Sequence, residues 1–234
     1  MRATKRPEGR APQSFLLLGL LFFLFASPSA FGQTNIVSTW LAAQTNVQSW
    51  SADLVQTRRL KTLAQPLVAQ GRVWFAAPNR FRWEIGSPPD TIAIRDRNQL
   101  YLVYPRFNRA ERYPLDGNQT GPWRDALALL EAGFPRSEAD LNARFHILRQ
   151  SVTNSLCEIV LQPRSAAARR MMPGITIAFD TNDFSLRSTE LQMADGSTMR
   201  NDFTNAVLNP PIPESVFSLP TTGELRIVEP VKPN

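Results

Sequence analysis

The chain has 234 residues, a formal net charge of +6 and a hydrophobic content of 43%. This length suits one domain with a sizeable core, and a mean hydropathy of −0.23 argues against a polytopic membrane protein. A single cysteine, Cys157, excludes an intramolecular disulfide framework, and no cluster of Cys and His residues offers a metal site.

The first 32 residues have the order of a secretory signal peptide. Residues 1–14 are basic, residues 15–26 are an unbroken apolar run, and small residues follow. The apolar run is shorter than the roughly 20 residues that span a bilayer, although an uncleaved anchor is the alternative. Ala30–Gly32 has the pattern of a cleavage site, so we predict an exported protein that begins at Gln33, with cleavage after Ala30 as the alternative. Removing the signal peptide leaves 22 basic and 19 acidic residues, a bias too small to predict nucleic-acid binding.

The mature chain opens with a predicted helix. Residues 35–50 contain apolar side chains, including Trp40 and Val47, that recur at helical spacing. Residues 51–60 then predict a strand, which is followed by an irregular connection.

Two strand-forming runs flank the turn at Pro78-Asn79. In the second run, Phe81 and Trp83 alternate with charged side chains, as in a strand with one large apolar face. Such a face fits a protein core and an apolar ligand equally well, and the pattern leaves both interpretations open. Trp74 and Phe75 on the first run point to opposite faces, so at most one of them joins the apolar face.

The pattern changes in the middle of the chain. Residues 91–115 predict three short strands, but Pro122 and Gly133 then bracket a helical run, and a second short helix follows. Helices placed between strands must fold back over the sheet. We therefore predict a helical lid, with Leu127 and Leu130 as candidates for its inner side, although ordinary packing fits these two residues at least as well.

Strands resume at residue 144. Residues 144–162 and 185–203 predict two hairpins, the second of which turns at Asp195-Gly196. Two more short strands follow the proline-rich connector at 209–213. About ten short strands joined by tight turns predict a mainly β (α+β) fold, in which an antiparallel sheet curls into an incomplete barrel, or half-barrel, beneath the helical lid.

No grouping of side chains predicts catalysis. His146 is the only histidine and lies between the apolar residues Phe145 and Ile147 on a predicted strand. No Ser or Cys of a known catalytic motif accompanies it. Cys157 lies in a strand, where a buried thiol is expected. We predict that the protein is not an enzyme and has no cofactor.

The hairpin Gly71–Trp83, with its Pro-Asn turn, resembles the outer-membrane lipoprotein carrier family (LolA) of the bacterial periplasm. Similar segments follow in family order at Gln99–Pro105, Phe145–Pro163 and Val216–Pro220. The resemblance covers essentially all of residues 33–234 and implies a single carrier domain. The family often places a functionally important Arg just before the Pro of the turn.

In this chain Ala77 occupies the position of that Arg, and Arg80 is the nearest residue that could take its role. The departure bears on how the lid is locked and how the ligand is released.

The resemblance implies a cavity for the acyl chains of lipoproteins. Burying a CH₂ group is worth ~0.8 kcal/mol, so baring a triacyl anchor with on the order of 45 methylenes to water costs ~35 kcal/mol. The family's implied partners are acylated lipoproteins, an inner-membrane ABC transporter and an outer-membrane lipoprotein receptor or membrane. A periplasmic monomer that binds no nucleic acid is expected.

Eleven side chains are predicted to line the cavity, although each also fits ordinary core packing. They are Trp74, Phe81, Trp83, Ile92, Ile94, Leu102, Tyr104, Ile177, Phe179, Leu191 and Met193.

An alternative function is a periplasmic lipid-binding sensor that regulates the response to envelope stress and has a similar half-barrel. Such regulators usually carry a second domain, which is not expected here. A membrane-anchored lipoprotein receptor needs a Cys after the signal peptide, and this chain has none there. The sequence therefore favours the carrier.

Overall fold

A computed structural model describes residues 35–96, 98–115, 137–220 and 225–229. These residues all lie within one compact unit, Thr34–Asn234. The predicted signal peptide and the predicted lid residues Leu127 and Leu130 lie outside the described residues.

The described residues form three α-helices and twelve β-strands. The helices are α1 (Ile36–Gln44), α2 (Glu138–Arg144) and α3 (Ala166–Met171). The strands are β1 (Ser49–Arg59), β2 (Leu67–Ala76), β3 (Arg80–Gly86), β4 (Pro89–Asp96), β5 (Gln99–Tyr104), β6 (Arg109–Pro114), β7 (Phe145–Thr153), β8 (Leu156–Pro163), β9 (Gly174–Asp180), β10 (Leu186–Gln192), β11 (Thr198–Leu208) and β12 (Arg226–Val228). Single 3₁₀ turns occupy Pro105–Phe107 and Glu214–Phe217.

All twelve strands belong to one sheet, in the order β12-β6-β5-β4-β3-β2-β1-β11-β10-β9-β8-β7. Neighbouring strands are antiparallel except β12, which pairs with β6 in parallel. The two end strands, β12 and β7, are not paired with each other, so the sheet is open. The predicted mainly β fold with an open antiparallel sheet is confirmed, with one parallel pairing, that of β12 with β6, at its edge.

Helix α1 packs on one face of the sheet, which we call the inner face. Asn35 caps the helix, because its side-chain oxygen accepts a hydrogen bond from the Val37 N–H at 3.1 Å. The ring of Trp40 stacks on Phe179 of β9, with 4.6 Å between ring centroids and 5° between ring planes. Leu141 of α2 joins the same core, so both helices contribute to the packing on this half of the inner face.

Helix α1 is shorter than the helix that the apolar pattern of residues 35–50 predicts. It ends at Gln44 because the Thr45 N–H and the Thr45 hydroxyl both bond to the Ala42 carbonyl and close the last turn. Trp50, which continues the helical spacing, is instead a buried residue of β1.

The opposite side, the outer face, carries the C-terminal segment, residues 209–219. Arg80 of β3 forms an ion pair with Glu214 at 2.6 Å. Arg82 donates hydrogen bonds to the carbonyl oxygens of Val216 and Ser218, at 3.2 and 3.4 Å. Because these carbonyls bond to an arginine side chain and not to a strand, the predicted strand at 216–219 is wrong, and a 3₁₀ turn stands there.

Candidate functional site

Strand register assigns each predicted lining residue to a face, because directly opposed residues in a pleated sheet point the same way. Trp83 lies opposite Val73 on β2 and opposite Ala93 on β4, and Ala93 in turn lies opposite Leu102 on β5. Eight of the predicted residues lie on the inner face or pack against its core. They are Phe81, Trp83, Leu102, Tyr104, Ile177, Phe179, Leu191 and Met193.

The other three predicted residues, Trp74, Ile92 and Ile94, point to the outer face. Trp74 and Ile94 both lie opposite Arg82, and Ile92 lies opposite Glu84. An alternating pattern tells which residues share a face but not which face of the sheet they join. The register thus separates these three residues from Trp83, and they are left out of the lining proposed below.

Ile92 and Ile94 are buried on the outer face in a cluster of their own. Val103, Ala110 and Leu219 pack with them. The strands at this end of the sheet therefore bury apolar side chains on both faces. This is why the side chains of Ile92 and Ile94 can be buried although they point away from Trp83.

The inner face has two parts. Ile177 and Phe179 are completely buried beneath α1, so they belong to a filled core. The second part lies on β3 to β6, and we call it the inner patch. It consists of Phe81, Trp83, Ala93, Leu100, Leu102, Tyr113 and Leu115.

Trp83 connects the two parts of the inner face. It packs against the filled core as well as the inner patch, and its ring lies edge-on to Phe203 with 6.0 Å between centroids. Trp83 and Leu102 are half-buried, whereas Phe81 and Leu100 are buried. Large apolar side chains of the inner patch thus remain partly accessible, as do Leu191 and Met193 beside the filled core.

A polar group borders the inner patch on β5 and β6. The Tyr113 hydroxyl donates a hydrogen bond to Glu111 Oε2 at 2.7 Å, and Arg109 Nη2 donates to Glu111 Oε1 at 2.8 Å. Burial, then the hydrogen bond to the Glu111 carboxylate and its negative charge, raise the pKa of Tyr113. Burial and the same carboxylate raise the pKa of Tyr104, which lies opposite Arg109.

The sequence analysis did not single out Arg109 and Glu111. The alternation along β6 could have identified them, because Arg109 and Glu111 flank Ala110 and therefore share a strand face with Tyr113. Charged residues at such positions are usually read as a solvated face, and only the register shows that they border apolar side chains.

Arg80, the candidate to take the role of the family Arg whose position Ala77 occupies, faces the outer side of the sheet. Its guanidinium pairs with Glu214 and lies 5.1 Å from the centre of the Phe217 ring on the outer face. Arg80 therefore anchors the C-terminal segment and points away from the inner patch. The Ala77 N–H bonds to the Gln48 carbonyl at 2.8 Å, which ties the turn to the start of β1.

A groove of about 460 Å³ crosses the outer face between β1, β2, β3 and β11. Its lining includes the charged or polar side chains of Asp53, Arg72, Glu84 and Asn205. Asp53 pairs with Arg72 at 3.6 Å and accepts a hydrogen bond from Asn205 at 2.9 Å. Charged walls of this kind do not suit acyl chains.

The cysteine and the histidine lie at opposite ends of the β7–β8 pair, where Cys157 is opposite Val152 and His146 is opposite Gln162. Cys157 is buried, and burial raises the pKa of its thiol, which makes it a poor nucleophile. His146 is exposed and lies 3.2 Å from Arg164 Nη1. Across the described residues, no three His, Cys, Asp or Glu side chains gather into a possible metal site. No helix in the same ranges is both long and apolar enough to cross a membrane.

The sequence pattern of the family described as "Outer membrane lipoprotein carrier protein LolA" matches residues 45–220. The chain belongs to the LolA family. All four segments on which the resemblance was based lie within the matched residues, so that resemblance is confirmed.

Two LolA relatives carry the name outer-membrane lipoprotein carrier protein. The protein from Bordetella avium (strain 197N) is 26% identical over 184 residues, which cover 78% of this chain and 82% of the relative. The protein from Chromohalobacter salexigens is 31% identical over 93 residues, which cover 39% of this chain and 44% of the relative. Among solved structures, an uncharacterized conserved protein from Thermus thermophilus matches with a TM-score of 0.49 and 9% identity, covering 83% of this chain and 99% of that protein.

Proposed function

We propose that this LolA-family protein is a periplasmic carrier. It binds the acyl chains of lipoproteins released from the inner membrane by an ABC transporter and delivers them to a receptor or membrane on the outer side. The family membership and the names of its relatives support this proposal. The observation that carries it is the inner patch, where half-buried Trp83 and Leu102 lie on one face of an open sheet.

The division of the inner face suits a carrier. The filled core under α1 holds the fold together through pairs such as Trp40 and Phe179. The inner patch adds aromatic and aliphatic surface beside that core, and apolar pockets with a few polar groups are the usual form of a lipid site. We propose that acyl chains lie on the inner patch and that the helix with Leu127 and Leu130, predicted from the sequence, covers them.

A lipoprotein release assay tests this function. Protein expressed from its full sequence and purified from the exported fraction is added to spheroplasts of its host that carry labelled lipoproteins. We expect lipoproteins to appear in the soluble fraction as one-to-one complexes, and Trp83→Glu to abolish their release, because a carboxylate on the inner patch opposes burial of methylenes.

Trp74→Glu is the matched control. It makes the same change on the strand adjacent to that of Trp83 but on the outer face, so release should persist. If the wild-type protein releases nothing while the Bordetella avium carrier works in its own spheroplasts, the carrier function is wrong. The protein would then bind another lipid or act as a sensor of envelope stress.

A further inference from the structure

One end of the sheet carries a hairpin with an exposed apolar end. Strand β1 ends at Arg59 and β2 begins at Leu67, and we call residues 58–68 the hairpin tip. Every residue from 61 to 68 is exposed, and the large apolar side chains of Leu63, Leu67 and Val68 are 46%, 48% and 61% exposed. Single exposed apolar residues are common, but several close together indicate a contact surface.

The apolar side chains of the hairpin tip point to both faces of the sheet. Leu67 lies opposite Arg58 on the inner face, whereas Val68 lies opposite Thr57 on the outer face. A protein partner that lay against one face would cover only one of these apolar side chains. Both are buried together if the hairpin tip enters a layer end-on, as the boundary between the headgroups and acyl chains of a bilayer allows.

Basic side chains surround this apolar end. Arg58, Arg59 and Lys61 are exposed, and none of them forms an ion pair with a residue that the structure describes. By contrast, the exposed Arg149 of β7 pairs with Glu158 at 2.9 Å. Basic side chains without an acidic partner raise the local positive potential and attract anions to this end of the sheet.

Two neighbouring segments extend the basic surface. The Lys61 N–H donates to Ser197 Oγ at 3.1 Å, and the Ala194 N–H donates to the Met171 carbonyl at 2.9 Å, so the turn between β10 and β11 connects the hairpin tip to the end of α3. Arg170 and Met171 are exposed there. The charged groups of this end are the basic residues Arg58, Arg59, Lys61, Arg169, Arg170 and Arg200 and the acidic residues Glu190, Asp195 and Asp202. The local charge is therefore positive.

The opposite end of β11 shows that exposed apolar side chains alone do not define this surface. Val207 and Leu208 are 51% and 50% exposed, and they lie opposite the uncharged residues Ser51 and Trp50 of β1. This pair matches Leu67 and Val68 in residue type and exposure but not in the charge of its partners.

We propose that the hairpin tip, together with Arg170 and Met171, docks the protein on an anionic lipid surface. The basic side chains attract the phosphates of the headgroups, and Leu63, Leu67 and Val68 enter the boundary beneath them. This inference goes beyond the proposed function, because the hairpin tip lies apart from the inner patch and its docking needs no bound lipoprotein.

Sedimentation with sucrose-loaded vesicles tests this docking. Protein expressed from its full sequence and purified from the exported fraction is mixed with vesicles of phosphatidylcholine, with or without an equal part of phosphatidylglycerol. We expect at least about tenfold tighter binding to the vesicles that contain phosphatidylglycerol. The preference should disappear at about 1 M salt, where charges are screened within roughly 3 Å.

Two double variants separate attraction from insertion. Arg59→Gln with Lys61→Gln should weaken binding to the phosphatidylglycerol vesicles by about 25-fold, because each basic residue near an anionic surface contributes about fivefold. Leu67→Ser with Val68→Ser should weaken it by at least about tenfold, because less apolar surface is removed from water.

The control variants make the same kinds of change away from the hairpin tip. Val207→Ser with Leu208→Ser removes similarly exposed apolar side chains, and Arg149→Gln with Arg187→Gln removes the same charge. Both should bind the phosphatidylglycerol vesicles as the wild type does. Trp83→Glu, which should lose lipoprotein release, should also bind them, and thermal unfolding of every variant checks that the fold is intact.

The outcomes separate this inference from the proposed function. Docking is wrong if the wild type does not bind the phosphatidylglycerol vesicles, if either double variant of the hairpin tip binds them as the wild type does, or if Trp83→Glu abolishes binding. Binding that needs Arg59 and Lys61 but not Leu67 and Val68 would indicate a surface for an acidic protein instead. The carrier function is decided by the release assay alone, because the vesicles contain no lipoprotein.

Discussion

At the level of single residues, the stacking of Trp40 on Phe179 holds α1 on the sheet. Both side chains are completely buried, so truncating either one leaves a cavity. We expect Phe179→Ala to lower the free energy of unfolding by about 3–5 kcal/mol, as measured by urea denaturation. Phe107→Ala is the control, because Phe107 is 78% exposed and its loss should change stability by less than about 0.5 kcal/mol. Equal effects of the two changes would show that Phe179 is not a core residue.

Tyr113 gives the protein a specific response to alkaline pH. Burial and the hydrogen bond to Glu111 raise its pKa, so the folded state holds the phenolic proton more tightly than the unfolded state does. The resulting stability is complete below the unfolded pKa of about 10 and is lost as the pH rises towards the higher folded pKa. We therefore expect the free energy of unfolding, measured by urea denaturation, to fall as the pH rises above about 10, and to fall less in Tyr113→Phe.

The control for this prediction is Tyr101→Phe. The Tyr101 hydroxyl bonds to Gln99 on the other side of the same strand pair, away from Glu111. If Tyr101→Phe flattens the alkaline response as much as Tyr113→Phe does, the hydrogen bond to Glu111 is not its cause.

Among the elements, the C-terminal segment depends most on a few polar contacts. Arg82, with 15% of its side chain exposed, binds Glu84 and the carbonyls of Val216 and Ser218. Arg82→Met removes those donors, so amide hydrogen exchange in the Glu214–Phe217 turn should become at least about tenfold faster relative to β9. Exchange is measured by mass spectrometry of peptides from both regions.

Arg187→Met is the control for the C-terminal segment. Arg187 also forms ion pairs, but its partners Asp180 and Asp183 lie at the end of β9 and in the turn after it, not in the C-terminal segment, and its side chain is 44% exposed. Exchange at Glu214–Phe217 should not change in this variant. An unchanged turn in Arg82→Met would contradict the anchoring role of Arg82.

Local elements are the part of this fold that the sequence predicts well. Asp195-Gly196 lies between two paired strands, β10 and β11, and the turn at Pro78-Asn79 separates β2 from β3 as its turn chemistry indicates. These features depend on neighbouring residues alone. The parallel pairing of β12 with β6 was not predictable, because it depends on the path of a proline-rich connection across the outer face.

The candidate site was predictable to the extent that it consists of alternating apolar residues. Phe81, Trp83 and Leu102 were identified by their period and do share the inner patch. Ile92 and Ile94 have the same period but cover the outer face, since a second apolar cluster forms there with Leu219. A period of two carries no information about which face of a two-sided sheet receives the apolar set.

At the scale of the whole molecule, one open sheet combines a filled core with an apolar patch beside it. The filled core under α1 holds that half of the sheet together. The inner patch, with a charged pair at its border, provides the surface that we assign to acyl chains. The C-terminal segment packs on the outer face of β3 to β5, so the two sides of these strands have different roles.

Photocrosslinking tests the central claim, that acyl chains lie on the inner face, most directly. A photoreactive benzoylphenylalanine replaces either Trp83 or Trp74, two large aromatic residues on adjacent strands and opposite faces. After incubation with a lipoprotein whose acyl chains are labelled, irradiation should attach the label at position 83 and not at position 74. Labelling at position 74 alone, or at neither position while the protein still binds the lipoprotein, would contradict the account.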